Sequence, residues 1–264
     1  SREVLLKRME RHISALVGRY KGRIYAWDVV NEAIEADGTY RQSDFYKILG
    51  EEFIDAAFEF ANRADPGCQL WYNDFGNESA AKNATIAAMV RRLKSKGIRI
   101  DGVGMQTHVA LNYPSPADYE KAIETIAAEG VKVAISEMDV SVLPAVWDLP
   151  EEERKNAARE AKYNPWTDGV LPDEVAARER DKYSEYFRIF ARRAADIERV
   201  TIWGLSDSES WLNDFPSKGR TDYPLLFGRD LKLKRWVLDV IRAFRLEIKA
   251  REGQEDSRET RSRS

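Results

Sequence analysis

Two glutamates each follow a buried-strand pattern, and their placement suggests chemistry by paired carboxylates. The apolar run 24–30 ends on Asn31 and Glu32, and the apolar run 131–135 leads through a serine to Glu137. In parallel α/β proteins, the carboxyl ends of the strands form the edge where active sites are built. Two carboxyl groups roughly 5 Å apart can cleave a glycosidic bond, because one protonates the leaving oxygen while the other attacks the anomeric carbon. The sequence therefore predicts Glu32 and Glu137 as a catalytic pair.

Polar residues beside these glutamates fit the same chemistry. Asn31 precedes Glu32, and its amide could hydrogen-bond a sugar hydroxyl. His108 ends another predicted strand, and Asp139 follows Glu137 by two residues. An imidazole steadied by a carboxylate is a common way to fix a tautomer and tune a neighbouring acid. Each residue alone also fits a structural role, as a strand cap or an ion-pair partner, but their grouping at strand ends favours a site.

Two of the seven tryptophans lie where a carbohydrate could stack on them. Trp203 ends a predicted strand and Trp211 lies in the loop that follows. Both could equally belong to the core, since tryptophan is often buried. Trp27, Trp71 and Trp236 are interpreted as packing residues.

Helical and strand patterns alternate along the chain, which predicts a parallel sheet with right-handed crossovers. Helices are expected at 3–19, 43–63, 77–95, 115–128, 173–195 and 232–248, and strands at 24–31, 69–75, 102–108, 131–139 and 199–207. The polar strand ends favour a (β/α)8 barrel over a doubly wound sheet, and the five strands correspond to about five of its eight βα units.

No change in composition divides residues 1–251, so they are expected to form one barrel domain. The proline-rich segment 141–173 is the least regular part, and a loop of that length is usually functional or mobile. Residues 252–264 have no apolar side chains and are expected to form a disordered tail.

Composition argues against several classes of function. The net charge of -3 gives no electrostatic signal for nucleic acid, and no apolar run is long enough to cross a membrane. No signal peptide is recognisable in this chain. The single Cys68 excludes an internal disulfide, and two histidines with one cysteine do not furnish a usual zinc site. No metal and no cofactor are therefore predicted.

Four segments together resemble a known family. Residues 27–33 (WDVVNEA), 101–108 (DGVGMQTH), 135–139 (ISEMD) and 201–211 (TIWGLSDSESW) are similar, in this order, to the strand motifs of family 10 of the glycoside hydrolases. The resemblance runs from about residue 3 to residue 248. These enzymes are retaining endo-β-1,4-xylanases on a (β/α)8 barrel, so the resemblance implies xylan or xylo-oligosaccharide as substrate and a secreted or periplasmic location.

The resemblance also assigns roles to individual residues. It implies that Glu32 is the general acid/base and Glu137 the nucleophile, and that Asn31 binds the sugar 2-hydroxyl. Further substrate-binding or tuning residues would be Gln106, His108, Asn73, Trp203 and Trp211, with Asp139 supporting His108. Glu35 is assigned no role. Burial and a neighbouring negative charge are expected to raise the pKa of Glu32 and keep it protonated.

The sequence departs from the family pattern before Trp27, where the family has three further strands that help to grip the substrate. The chain is therefore expected to carry barrel strands four to eight. It would be either the C-terminal part of a longer enzyme or a chain whose missing strands come from a complementing N-terminal fragment or from strand exchange between chains. Two alternatives stay open: an incomplete barrel that binds xylo-oligosaccharides without cleaving them, and a relative that hydrolyses β-glucan.

Overall fold

The computed structural model describes residues 1–262, with side chains described up to Arg251. These residues form two compact units. The first unit contains residues 1–107, 117–136 and 196–200, and the second contains residues 108–116, 137–195 and the chain from 201 onward. The helices are α1 (Arg2–Arg19), α2 (Asp44–Leu49), α3 (Glu52–Ala64), α4 (Ala80–Ser95), α5 (Pro116–Ala127), α6 (Glu151–Asn156), α7 (Asp173–Arg192) and α8 (Val237–Ser262). The strands are β1 (Ala26–Asn31), β2 (Gln69–Asp74), β3 (Gly102–Met105), β4 (His108–Ala110), β5 (Lys132–Ser141) and β6 (Ile197–Ile202).

A parallel sheet organises the first unit. Strand β1 pairs with β2, β2 with β3, and β3 with the first half of β5. The register sets Asn31 opposite Asn73 and Asn73 opposite Gly104, so the polar strand ends lie in one row. Leu70, Trp71 and Tyr72 are fully buried. This continuous apolar run is typical of a parallel strand covered on both faces.

The predicted helix 43–63 is two helices, which corrects the prediction. Gly50 separates α2 from α3 and has a φ of 60°, a left-handed conformation that ends α2. Ser43 caps α2, since its hydroxyl accepts a hydrogen bond from the amide of Tyr46 at 3.2 Å. Phe53 and Phe60 on α3 are buried, whereas the apolar side chains of Phe45 and Ile48 on α2 are exposed.

The predicted strand 102–108 is also divided. Strand β3 ends at Met105, and Thr107 has a φ of 67°, which interrupts the extended backbone. The Thr107 side chain is buried and its hydroxyl lies 2.6 Å from the Tyr119 hydroxyl. His108 then begins β4, which belongs to the second unit and pairs in parallel with the second half of β5.

Buried polar contacts hold the second unit together. The ammonium of Lys234 lies 2.7 Å from the carboxylate of Glu179 on α7 and 3.0 Å from that of Asp207. It also donates to the carbonyl of Tyr223 at 2.9 Å. Since both carboxylates are fully buried, Lys234 supplies the positive charge that their burial requires.

The irregular segment 141–173 contains the short helix α6 and is tied down by hydrogen bonds. The guanidinium of the buried Arg220 donates to the carbonyls of Pro144 at 2.7 Å and Tyr163 at 3.0 Å. The Asp222 carboxylate accepts from the Ser141 hydroxyl at 2.6 Å. The segment is thus held by side chains that follow it by some 60 to 80 residues.

The last helix is longer than predicted. α8 continues to Ser262, beyond the expected end near residue 248 and through most of the expected disordered tail at 252–264. The sequence there has no proline and contains several Glu and Arg residues, which are good helix formers. Residues 263–264 lie outside the described residues. Among the helices described here, none combines the length and apolar character that a bilayer span requires.

We expect that Lys234→Met destabilises the protein by about 3–5 kcal/mol, because two buried carboxylates lose their cation. Urea unfolding followed by tryptophan fluorescence would measure the loss. Lys232→Met is the matched control, since the Lys232 side chain is 82% exposed and pairs with the exposed Asp230. Equal unfolding midpoints for the two variants would contradict the role given to Lys234.

Candidate functional site

The predicted site residues fall into two groups, one in each unit. The first-unit cluster consists of Asn31, Glu32, Asn73 and Gln106, and the second-unit cluster consists of His108, Glu137, Asp139, Trp203 and Trp211. The members of the first-unit cluster lie at or just after the carboxyl ends of β1, β2 and β3. In the second-unit cluster, His108 begins β4, Glu137 and Asp139 lie within β5, and Trp203 and Trp211 follow β6.

Glu32 lies in a strained turn directly after β1. Its φ is 55°, a left-handed conformation that costs a non-glycine residue about 1–3 kcal/mol. Two hydrogen bonds to β2 hold the turn: the Glu32 amide donates to the carbonyl of Asn73 at 2.9 Å, and the Ala33 amide donates to the hydroxyl of Tyr72 at 3.0 Å. The turn therefore fixes where the Glu32 side chain leaves the backbone.

The Glu32 carboxylate has a polar partner on each oxygen. The side-chain amide of Gln106 donates to Oε1 at 3.0 Å, and Nη1 of Arg41 lies 3.3 Å from Oε2. Arg41 also donates through Nε to the carboxylate of Glu35 at 2.9 Å. Glu32 is about one third exposed, with 31% of its side-chain surface accessible.

The pKa of Glu32 is lowered, contrary to the prediction from sequence. Burial acts to raise this pKa, but the hydrogen bonds from Gln106 and Arg41, the positive charge of Arg41 and a hydrogen bond from Asn31 together outweigh it. The prediction was wrong because it counted burial and negative charge only. The hydrogen bond from Gln106 lowers the pKa most, and Arg41, from the loop after Glu32, adds a second hydrogen bond and a positive charge.

Asn31 and Asn73 form a hydrogen-bonded pair whose orientation is fixed by Ser136. The Asn73 amide donates to the Asn31 side-chain oxygen at 3.1 Å, and the Ser136 hydroxyl donates to the Asn73 side-chain oxygen at 2.6 Å. Gly104 makes room for this pair, since a Cβ there would lie 2.2 Å from the Asn73 oxygen. Asn73 is buried and Asn31 is exposed, so an oriented amide faces solvent beside Glu32.

His108 links two carboxylates in the second-unit cluster. Its Nδ1 lies 2.9 Å from the carboxylate of Asp139, and its Nε2 lies 3.3 Å from that of Glu137. Asp139 is fully buried and also accepts a hydrogen bond from the indole nitrogen of Trp211 at 2.8 Å. The parallel pairing of β4 and β5 sets His108 opposite Asp139, which makes these contacts possible.

The two carboxylates make His108 a cation at neutral pH. Burial alone would lower its pKa, but the hydrogen bonds and charges of Asp139 and Glu137 raise the pKa of His108 to about 9. The imidazolium therefore donates from both nitrogens. One donation fixes the ring on Asp139 and the other holds the Glu137 carboxylate.

Aromatic side chains accompany this cluster. Trp211 packs edge-on to His108, with ring centroids 4.9 Å apart. Trp203 follows β6 and 46% of its surface is exposed, which excludes a core role within its unit. Trp147 and Phe215 extend the cluster, with ring centroids 6.2 Å and 5.6 Å from Trp211.

Sequence reasoning missed Arg41, Ser136, Trp147 and Phe215. Ser136 directly precedes Glu137, so its position beside a predicted catalytic residue was a usable signal. The other three lie in loops without a periodic pattern, where only the folded backbone decides what they contact. In the part of the chain that the structure describes, no group of three or more His, Cys, Asp or Glu side chains is placed to hold a metal ion.

We expect that Asp139→Asn lowers the pKa of His108 from about 9, because one of its two anionic partners becomes neutral. NMR titration of the imidazole signals is the measurement, and the other histidine, His12, provides an internal reference. A His108 titration that stays in place would contradict this assignment.

The same ionisation links pH to stability. Because the folded-state pKa of His108 is raised above 6.5, its stabilising contribution is complete below about pH 6.5 and is lost as the pH rises through about 9. Asp139→Asn should reduce this loss between pH 6.5 and 9, as measured by urea unfolding across that range.

Comparison with known proteins identifies the family. The sequence profile of Glycosyl hydrolase family 10 matches residues 1–243. Endo-1,4-beta-xylanase A of Xylanibacter ruminicola is 44% identical over 246 residues, covering 92% of this chain and 66% of that protein. The endo-1,4-beta-xylanase of Geobacillus stearothermophilus is 39% identical over 228 residues, covering 86% of this chain and 64% of that protein. The chain thus spans about two thirds of the length of these relatives.

Solved structures agree with the sequence comparison. A GH10 endoxylanase retrieved from a sugarcane soil metagenome superimposes with a TM-score of 0.85 at 43% identity, covering 94% of this chain and 69% of that one. Xylanase XynB of Paenibacillus barcinonensis, complexed with a conduramine derivative, gives a TM-score of 0.81 at 35% identity, covering 91% and 69%. The alternating parallel strands and helices, together with this similarity, confirm the predicted fold class, part of a (β/α)8 barrel. The chain belongs to family 10 of the glycosyl hydrolases.

Proposed function

We propose that the protein to which this chain belongs is a retaining endo-β-1,4-xylanase, with Glu32 as general acid/base and Glu137 as nucleophile. The observation that carries the proposal is the contrast between the two carboxylates. Glu137 is held by an imidazolium that is itself fixed on the buried Asp139, whereas Glu32 is contacted by Gln106 and Arg41 and is about one third exposed. A nucleophile benefits from a fixed position, and an acid/base must gain and lose a proton.

The first step forms a glycosyl-enzyme ester. The Glu137 carboxylate attacks the anomeric carbon, the bond from that carbon to the bridging oxygen breaks, and the proton of Glu32 passes to the leaving oxygen. In the second step Glu32, now ionised, takes a proton from water, and the oxygen of that water attacks the anomeric carbon. The ester bond breaks, Glu137 regains its charge, and the product keeps its anomeric configuration.

The other site residues supply binding and orientation in this proposal. Asn31 presents its amide to the 2-hydroxyl of the sugar under attack, and Asn73 and Ser136 hold that amide in place. Gln106 orients the Glu32 carboxylate through its 3.0 Å hydrogen bond. Trp203 and Trp211 offer indole surface to the apolar faces of the sugar rings.

The names of the relatives support the choice of substrate. The curated relatives described above are endo-1,4-beta-xylanases, and a structurally similar mutant protein with a TM-score of 0.78 was solved in complex with xylotriose. Xylan or xylo-oligosaccharide is the proposed substrate. A secreted or periplasmic location is proposed with it, because a polysaccharide such as xylan does not cross membranes. A complementing fragment or strand exchange between chains stays a prediction.

We expect that Glu137→Gln abolishes hydrolysis of xylan, because an amide cannot form the ester intermediate. Glu32→Gln should lower kcat by about 10²–10⁴-fold, the usual contribution of a general acid/base. A reducing-sugar assay on size-exclusion fractions of the chain measures both effects and identifies the species that is active. Glu59→Gln on the exposed side of α3 serves as control. Near-normal turnover by Glu137→Gln would overturn the assignment.

The same assay separates the alternative functions. Preferred hydrolysis of β-glucan would keep the mechanism and change the substrate. The alternative of a binding protein without catalysis would be favoured by a different result. In that case calorimetry would show that the wild-type chain and all variants bind xylo-oligosaccharides, and none of them would hydrolyse the substrate. NMR detection of the first product anomer tests the mechanism, since a double displacement retains the β configuration.

A further inference from the structure

Arg41 is the nearest cation to Glu32 in the first unit, and it is shared with a second carboxylate. Its Nε donates to Glu35 at 2.9 Å, and its Nη1 lies 3.3 Å from Glu32. The shorter contact belongs to Glu35. The guanidinium of Arg41 is therefore held mainly by Glu35 and contacts Glu32 through Nη1.

The backbone of the loop 32–43 brings the side chains of Glu32, Glu35 and Arg41 together. The amide of Arg41 donates to the carbonyl of Ala33 at 2.8 Å, and the amide of Glu35 donates to the carbonyl of Thr39 at 2.8 Å. These bonds fold the loop back on itself, so residues 32, 35 and 41 meet although they are separated along the chain. The arrangement is independent of any helix or strand periodicity.

We infer that Arg41 is a positioning residue that sets the proton affinity of Glu32, and that Glu35 moderates this effect by competing for the same guanidinium. The inference rests on the proposed acid/base role of Glu32. It also gives a role to Glu35, which the sequence analysis left without one.

The shared cation suits a group that must change its charge during the reaction. An arginine paired with Glu32 alone would lose its ion-pair partner when Glu32 takes up a proton, so its positive charge would oppose that protonation in full. Glu35 prevents that situation, because Arg41 keeps an anionic partner in either protonation state of Glu32. Protonation of Glu32 is thereby made easier, while Arg41 still stabilises the ionised form needed in the second step.

Few other groups of the first unit act on Glu32. Gln106 and Asn31 contact it and are neutral. Behind the turn, Tyr72 hydrogen-bonds Asp74, and Asp74 is neutralised by Lys82 at 2.7 Å. The charge of Glu137 is common to the wild-type protein and the variants compared below.

The charges predict shifts of opposite sign for two variants. Arg41→Met removes the cation and should move the pKa of Glu32 upward. Glu35→Gln removes a nearby negative charge and frees Arg41 for Glu32, so it should move the pKa downward. Arg41→Lys keeps the positive charge but loses the planar guanidinium. The pKa of Glu32 in this variant should lie between its values in the wild-type protein and in Arg41→Met.

NMR titration of the side-chain carboxyl carbons measures these shifts in the free chain, and the Glu32 signal is the one absent from Glu32→Gln. Arg63→Met is the matched control, because Arg63 pairs with Glu10 on the surface at 2.9 Å and does not contact Glu32. It should leave the Glu32 titration in place. A Glu32 titration that stays unchanged in both Arg41→Met and Glu35→Gln, or that moves in the same direction in both, would overturn the inference.

The pH profile of kcat/KM on xylo-oligosaccharides gives the catalytic readout. Its basic limb reports the acid form of Glu32, and it should move upward in Arg41→Met and downward in Glu35→Gln. A merely structural role would lower activity at every pH without moving the limb. Absence of hydrolysis by the wild-type chain would count against the proposed function alone, since the NMR titration requires no turnover.

Discussion

The buried carboxylate of Asp74 is the point on which the first-unit cluster depends. It lies at the end of β2 with no exposed surface, and Lys82 from α4 neutralises it at 2.7 Å. The hydroxyl of Tyr72 hydrogen-bonds the same carboxylate and accepts the amide of Ala33 at 3.0 Å. A buried ion of this kind must be paired, and satisfying it fixes the groups around it. The turn that carries Glu32 is thus held, through Tyr72, by the carboxylate of Asp74, which does not take part in the proposed chemistry.

These hydrogen bonds explain how Glu32 keeps its strained backbone conformation. A left-handed glutamate persists only where the surrounding structure determines it more strongly than its own preference. Here the amides of Glu32 and Ala33 are both bound by β2, and the side chain is held by Gln106. The second-unit cluster uses another device, a buried aspartate that fixes an imidazolium. In each unit a buried carboxylate fixes a residue that orients the group proposed to react: Asp74 acts through Tyr72 on the turn of Glu32, and Asp139 acts through His108 on Glu137.

Sequence reasoning located the strands well, but it misjudged where two of them end and which groups surround them. The apolar runs before Glu32 and Glu137 predicted two strands correctly, because a buried parallel strand leaves a continuous signal. The pairing of His108 with Asp139 also followed from their placement at strand ends. The break at Gly50 and the turn at Thr107 were missed, since a helical or extended pattern can continue through a residue whose backbone leaves the regular conformation.

The sign of the Glu32 pKa shift shows why the remaining features were beyond the sequence. A strand pattern reports burial, and burial by itself raises the pKa of a carboxyl group. The compensating charge comes from Arg41, and its approach depends on a loop whose own hydrogen bonds bring residue 41 back to residue 32. Loop closure of this kind has no period and no fixed spacing. The strands set the position of the site, and charged side chains from the loops then decide its electrostatics. The first can be predicted from the sequence pattern, whereas the second depends on the folded loops.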